Sequence, residues 1–229
     1  MANVKNRSRQ SKKKDRRRKI VLLVATGNRH KLREIARILG RGFRVFGLER
    51  LLKVPRIAES GRTFDANAAI KVKRVRDAVG REKNRPCADF VIADDSGLRA
   101  TALGGEPGIR SARYAGPAAD DRANRRKLLR RMKNAGDRRA EFLCVIALAD
   151  MRGARKVRFF RGRVRGRIVR EEQGSGGFGY DPVFVPRGFQ KTFAQLSATT
   201  KNRLSHRAKA LARLNKFLEK GSLLGDVKK

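Results

Sequence analysis

Acidic residues are scarce in this chain: 21 Asp and Glu stand against 59 Lys and Arg, a formal charge of +38 over 229 residues. A surface so one-sided repels itself and attracts polyanions, which admits nucleotides, nucleic acid and acidic membranes as partners without selecting one. Cysteines number only two, Cys87 and Cys144. They are far apart and lack metal-ligand spacing, which excludes a disulfide framework and fits a reducing compartment, the cytoplasm. No apolar run approaches the roughly 18 residues of a membrane span, so membrane insertion is not expected. Internal repeats and separating linkers are also missing, and with 40% hydrophobic residues the chain reads as one domain or two closely joined lobes.

What is present begins with a basic segment. Residues 1–19 are almost wholly polar and cationic, and with nothing apolar to bury they are expected as a disordered tail, an RNA-binding arm or a targeting segment. "IVLLVA" at Ile20–Ala25 flows into "TGNRHK" without a small-residue cleavage site, so it reads as a first buried strand rather than a signal core. Helical spacing follows from His30 to Gly42, with Leu32, Ile35, Ile38 and Leu39 on one face. Further strands are expected at Phe43–Leu48, Phe90–Ala93, Ala140–Asp150 and Arg155–Val169, and further helices at Thr63–Gly80, Asp120–Asn134 and Asn202–Glu219. This order predicts an α/β fold with a mixed sheet and flanking helices over residues 20–220, with a short tail at 221–229.

Four segments carry chemistry. "TGNRHK", Thr26–Lys31, sits at a strand-to-helix junction where backbone N–H groups and a Lys hold an anion, or where an N-cap merely closes a turn. "ADDSGL" puts Asp94 and Asp95 after the apolar run Phe90–Ile92, where carboxylates can bind Mg²⁺ and orient a water. The plainer alternative is a strand-ending turn capped by Asp95. "GGFGYDPVF", Gly176–Phe184, combines glycines that let a backbone approach a flat ring with Phe178 and Tyr180, which can stack on a base. "KNRLSHR" brings Lys201, His206 and Arg207, which alone would be solvated surface in so basic a chain.

Taken together, "ADDSGL…ALGG.PG..SARYAG" and "GFGYDP.F…K…SHR" resemble the inosine triphosphate pyrophosphatase family, also called Ham1-like, over nearly all of 20–214. The resemblance implies an elongated mixed sheet with two lobes around a cleft, a homodimer, and Mg²⁺-dependent cleavage of deaminated purine triphosphates into monophosphate and pyrophosphate. It implies that Thr26, Gly27, Asn28, Arg29, His30 and Lys31 cradle the triphosphate. Asp95 would be general base and metal ligand, with Asp94 beside it on the metal and Ser96 touching substrate. Phe178, Gly179, Tyr180, Asp181, Lys201, His206 and Arg207 would hold the base and neighbouring groups.

Two positions depart from the family pattern. Ala66 stands where the family has a Glu, which the resemblance implies is a metal-site acid, and Gln195 stands where it has another Glu. Two outcomes stay open: an enzyme with a weakened metal site, which the surviving motifs favour, or a non-catalytic relative whose basic body and tail bind RNA. A third outcome is that the surface charge is drift or a solubility bias with no partner, and the interleaving of Arg in "RRKLLRRMK" and "RFFRGRVRGR" does not resolve it.

Overall fold

The computed structural model describes residues 18–51, 53–54, 57–81, 87–118, 120–153 and 156–225. Most of the expected basic tail therefore lies outside the described residues; Arg18, at its end, donates to Asp89. One six-stranded sheet organises the chain in the order β2-β1-β3-β4-β5-β6. β1 (Ile20–Val24) runs parallel to β2 (Phe43–Phe46) and to β3 (Phe90–Ala100), whereas β4 (Arg139–Asp150), β5 (Arg158–Ile168) and β6 (Phe184–Pro186) are added antiparallel. The helices are α1 (Arg29–Leu39), α2 (Phe64–Arg81), α3 (Asp121–Arg131), α4 (Ala198–Leu204) and α5 (His206–Gly225). None of the described helices is long and apolar enough to cross a membrane.

The chain leaves β1 towards β2 and returns through α2 to β3 on the other side, so the strand order reverses at the carboxyl end of β1. Ligands in open α/β sheets bind outside such a switch point. Three apolar clusters divide the interior. One packs α2 on a sheet face through Val72, Val75, Val91 and Val145. A second packs α1 and α5 on the opposite face through Ile35, Ile92, Ile146 and Leu214. The third lies at the far ends of β3–β5, where Leu98, Phe142 and Phe184 meet Leu128 of α3. Two lobes result, with a cleft between them.

Two elements differ from sequence expectation in ways that matter. The strand expected at Phe90–Ala93 continues through the acidic pair to Ala100, paired with β4 along its whole length. The expectation failed because Asp and Ser are poor strand formers by composition; full pairing with β4 overrides that preference here. β1 has ended by then: its last paired residue is Val24, opposite Ile92. Asp94 and Asp95 thus lie just beyond the parallel part of the sheet, inside a strand rather than after one.

The helix expected at Asn202–Glu219 is two helices, broken at Ser205, whose φ of −62° and ψ of 157° are extended. α4 starts on Ser197, whose side chain accepts from the Thr200 N–H, and α5 continues to Gly225, past the expected tail boundary. The break re-aims the helical faces, so Lys201 and Arg207 converge instead of diverging. α5 then lies directly on β5, where a Cβ on Gly162 would fall 2.0 Å from the His206 carbonyl oxygen; only glycine permits that approach. The strand expected at Phe43–Leu48 ends at Phe46, with Leu48–Arg50 taken into a short 3-10 turn.

Candidate active site

Alternation along β3 sends its two aspartates to opposite faces of the sheet. Asp94 pairs across to Ile146, on the α1/α5 side, and Asp95 to Val145, on the α2 side. The adjacent acids therefore face two different sets of partners.

On the first side Asp94 is 1% exposed and fully engaged. Lys31 Nζ lies 2.6 Å from Oδ1, and Ser96 Oγ donates to the same oxygen at 2.8 Å. Arg207 Nε and Cys144 Sγ donate to Oδ2 at 2.9 and 3.1 Å. Burial would push this carboxyl up, but Arg207 and Lys31 outweigh it and hold Asp94 well below the usual carboxylate range. Asp94 was expected as a metal ligand; with both oxygens committed, its place here is that of an anchor for Lys31 and Arg207.

The network continues from Arg207. Its Nη1 donates to Glu34 of α1, and Lys201 Nζ donates to Glu34 Oε1 at 2.5 Å and to Asp181 Oδ2 at 2.6 Å. Two buried cations, Lys201 and Arg207, and the half-buried Lys31 thus meet three carboxylates. Burial opposes ionisation of Glu34, yet Arg207 and Lys201 keep it below the ordinary value. Glu34 was missed in the sequence because a Glu on an amphipathic helix reads as solvent-facing; its one signal is its place on the helix that carries Lys31.

Phe178 lies over this network, 4.8 Å from Lys201 Nζ at its ring centroid and stacked on His30 at 5.4 Å. Its loop is held by glycine: Gly177 has φ +75°, and a Cβ there would sit 2.1 Å from Asp181 Oδ2. Asp181 accepts from the Phe178 N–H, Gly179 N–H donates to Asp121, and Tyr180 Oη donates to the Ser111 carbonyl. Asn28 N-caps α1 by accepting from the Lys31 N–H, while Thr26 Oγ1 accepts from the Asn28 N–H. Gly27, Arg29 and His30 are exposed at the same helix start.

Asn28, Lys31, Ser96, Phe178–Asp181, His206 and Arg207 line one cavity of about 90 Å³. Lys201 lies beneath Phe178, and Asp95 is on the other face of β3. The cavity is smaller than the ~300 Å³ of ordinary ligand pockets.

His206 stacks flat on Phe142 at 4.6 Å and is buried with Nδ1 unpartnered. Burial, reinforced by Arg207, holds its pKa well below the ordinary histidine value of 6.5, so the ring is neutral at pH 7 and offers one donor and one acceptor. Because the folded pKa is the lower one, the unfolded chain binds a proton that the native state refuses, and stability falls as pH drops below 6.5. Thermal melts should show this loss between pH 6.5 and 5, and His206→Asn should flatten it. The loss of the Asp94 ion pairs falls in a separate window, below pH 3.8.

On the second side, Lys71 of α2 donates to Asp95 Oδ1 at 2.7 Å, to the Asp94 carbonyl at 2.9 Å and to Glu59 Oε1 at 3.1 Å. Burial favours the neutral amine, but Asp95 and Glu59 prevail and raise the Lys71 pKa. Asp95 itself is raised, because burial exceeds the opposing pull of Lys71. Its Oδ2 is buried without a hydrogen-bond partner. Neither Glu59 nor Lys71 was found in the sequence: both are single charged residues outside the glycine-rich motifs.

Ala66 is the third residue of α2, where its N–H is capped by Thr63 Oγ1. An acid there would complete a capping box by reaching back to the Thr63 N–H. The second carboxylate near Asp95 comes instead from Glu59. Asp65 pairs with Arg161, which stands two strands from Asp95 in the same cross-strand row, and Gln195 accepts from the Thr192 N–H, preserving a loop. No cluster of three or more His, Cys, Asp or Glu with metal-binding geometry occurs among the described residues.

Residues 22–217 match the Ham1 family model. A dITP/XTP pyrophosphatase from Porphyromonas gingivalis is 43% identical over 198 residues, covering 86% of this chain and 96% of that protein. One from Opitutus terrae is 42% identical, covering 84% and 96%. Among solved structures, the Ham1 protein of Staphylococcus aureus superposes with a TM-score of 0.75 at 39% identity, covering 88% of this chain and 99% of that one. A HAM1 protein from Coxiella burnetii gives 0.76 at 35%, with the same coverage.

Proposed function

Because this chain belongs to the Ham1 family, we propose that it hydrolyses deaminated purine nucleoside triphosphates (dITP, XTP and ITP) to the monophosphate and pyrophosphate. The observation that carries this reading is Asp95: a buried carboxylate whose Oδ1 is pinned by Lys71 and whose Oδ2 has no partner. An oxygen so placed is ready to accept a proton from an attacking water.

The donor set also suits Mg²⁺, which is commonly held by one or two carboxylates with substrate phosphates completing its shell. Asp95 would hold it through its unpartnered Oδ2, and Glu59 would join as second ligand by exchanging Arg113, which donates to its Oε2, for the ion; when bound it supplies charge neutralisation to the phosphates and acidifies water. Lys71 fixes Asp95 and balances the local charge. Lys31 and the open N-terminus of α1 take phosphate oxygens. The base enters between His30 and Phe178, and the neutral ring of His206 offers the N–H that a six-keto oxygen accepts. An amino group at that position leaves the donor unpaired, which disfavours adenine.

The test is product identity and base preference: pyrophosphate, not phosphate, should appear from dITP and XTP, with ATP much slower. Phosphate release, or no turnover of any purine triphosphate with Mg²⁺, overturns the reading. Glu59→Gln should raise the Mg²⁺ concentration for half-maximal rate by about tenfold or more, as loss of one of two carboxylates implies. Ala66→Glu should leave that concentration unchanged. A reversed pattern would put the second ligand on α2.

A further inference from the structure

Beyond the cleft, β5 carries Arg161, Arg163, Arg165 and Arg167 at alternate positions, with Gly162, Val164, Gly166 and Ile168 turned to the interior. The four guanidinium groups therefore share one sheet face. Cross-strand register extends the row: Arg165 stands opposite Glu141, which stands opposite Arg99, and Arg167 stands opposite Arg139. With Arg187, these residues line a groove of about 840 Å³. It shares no residue with the nucleotide cavity.

Counter-charge gathers on part of the row, beginning with Asp65, which pairs with Arg161. Glu141 serves both Arg99 and Arg163, at 3.4 and 3.7 Å, and Asp137 serves Arg139. Arg165, Arg167 and Arg187 have no carboxylate partner among the described residues. Like charges directly opposite across strands are destabilising, and a second copy of this face would add to the repulsion. We infer that the β3–β6 arginine groove is a binding surface for single-stranded RNA, gripped through its phosphodiester backbone.

Three features fit that occupant. Alternate strand residues recur about every 6.6–6.8 Å, an interval that successive phosphates of an extended strand can follow. Phe189 sits half-buried on the groove wall, a flat face on which one base can stack. Glu141 is a lone acceptor among donors, and a ribose 2′-hydroxyl can donate to it where deoxyribose cannot.

The experiment measures binding of short labelled oligouridylate and oligothymidylate to the full chain across a salt series. Neutralising three phosphate contacts with R165Q/R167Q/R187Q should lower the log–log salt slope by about 2, which is about 100-fold in affinity near 0.1 M salt. The same charge loss on α3, R122Q/R126Q/R130Q, should change affinity less than about threefold. Pyrophosphate release and thermal melting should be unchanged in both, which separates this surface from the cleft. Equal losses in the two triples would reduce the effect to diffuse charge. Equal or tighter binding of oligothymidylate, no binding at all, or a change of oligomeric mass in the groove triple would each overturn the assignment to RNA.

Discussion

Asp95→Asn should abolish turnover while leaving the nucleotide bound. The amide keeps the shape of the side chain and its hydrogen bond to Lys71 can survive through Oδ1, but it neither accepts a proton at neutral pH nor offers a charged ligand. General-base loss alone is worth about 10²–10⁴ in rate, and weakening of the metal site adds to it. The base cavity lies on the other face of β3, built from Phe178, Tyr180, His206 and Arg207, so affinity for the monophosphate product should change little. Single-turnover rates and product binding separate the two effects. Retention of more than a tenth of the wild-type rate would remove Asp95 from the chemistry. Asp94→Asn should behave differently: it disrupts the anchor of Lys31 and Arg207 and should weaken substrate binding and lower stability together.

That contrast shows what the sequence could and could not convey. The four polar segments, their order and the α/β class were legible, because turn glycines, apolar runs and the two aspartates are local features. The sidedness of Asp94 and Asp95 was not. It depends on β3 continuing past β1, which only pairing with β4 enforces. Glu34, Glu59 and Lys71 were illegible for a related reason. In a chain with so many charges, a single Glu or Lys becomes significant only when tertiary contacts bury it, as Lys71 is buried at 7% exposure. The break at Ser205 was hidden by an apolar stripe that reads through it, and the convergence of Lys201 on Glu34 with Arg207 depends on that break. Ala66 illustrates the converse case. A missing acid in a recognisable motif drew attention to the start of α2, whereas the second carboxylate near Asp95 sits in the preceding segment.

Arg207→Met should cause the largest stability loss of any single change at the site. Met approximates the length and apolar volume of the side chain, so the substitution removes charge and hydrogen bonds with little change in packing. Asp94 and Glu34 would then be buried with reduced compensation: Asp94 keeps Lys31, and Glu34 keeps Lys201. Breaking a buried pair by removing one partner costs about 3–5 kcal/mol, which for a domain of this size lowers Tm by roughly 6–20 °C. Asp94→Asn in the same background should restore part of the loss, because the stranded charge and not the missing contact is the greater penalty. A double-mutant cycle measures that coupling directly. If the two losses simply add, Arg207 and Asp94 are energetically independent, and the network positions side chains without stabilising the fold. Coupling of the expected sign means that the charges which fix Lys31 beside the proposed phosphate-binding helix start also tie α1, β3 and α5 together, so the proposed substrate recognition and the stability of this side of the sheet rest on the same six groups.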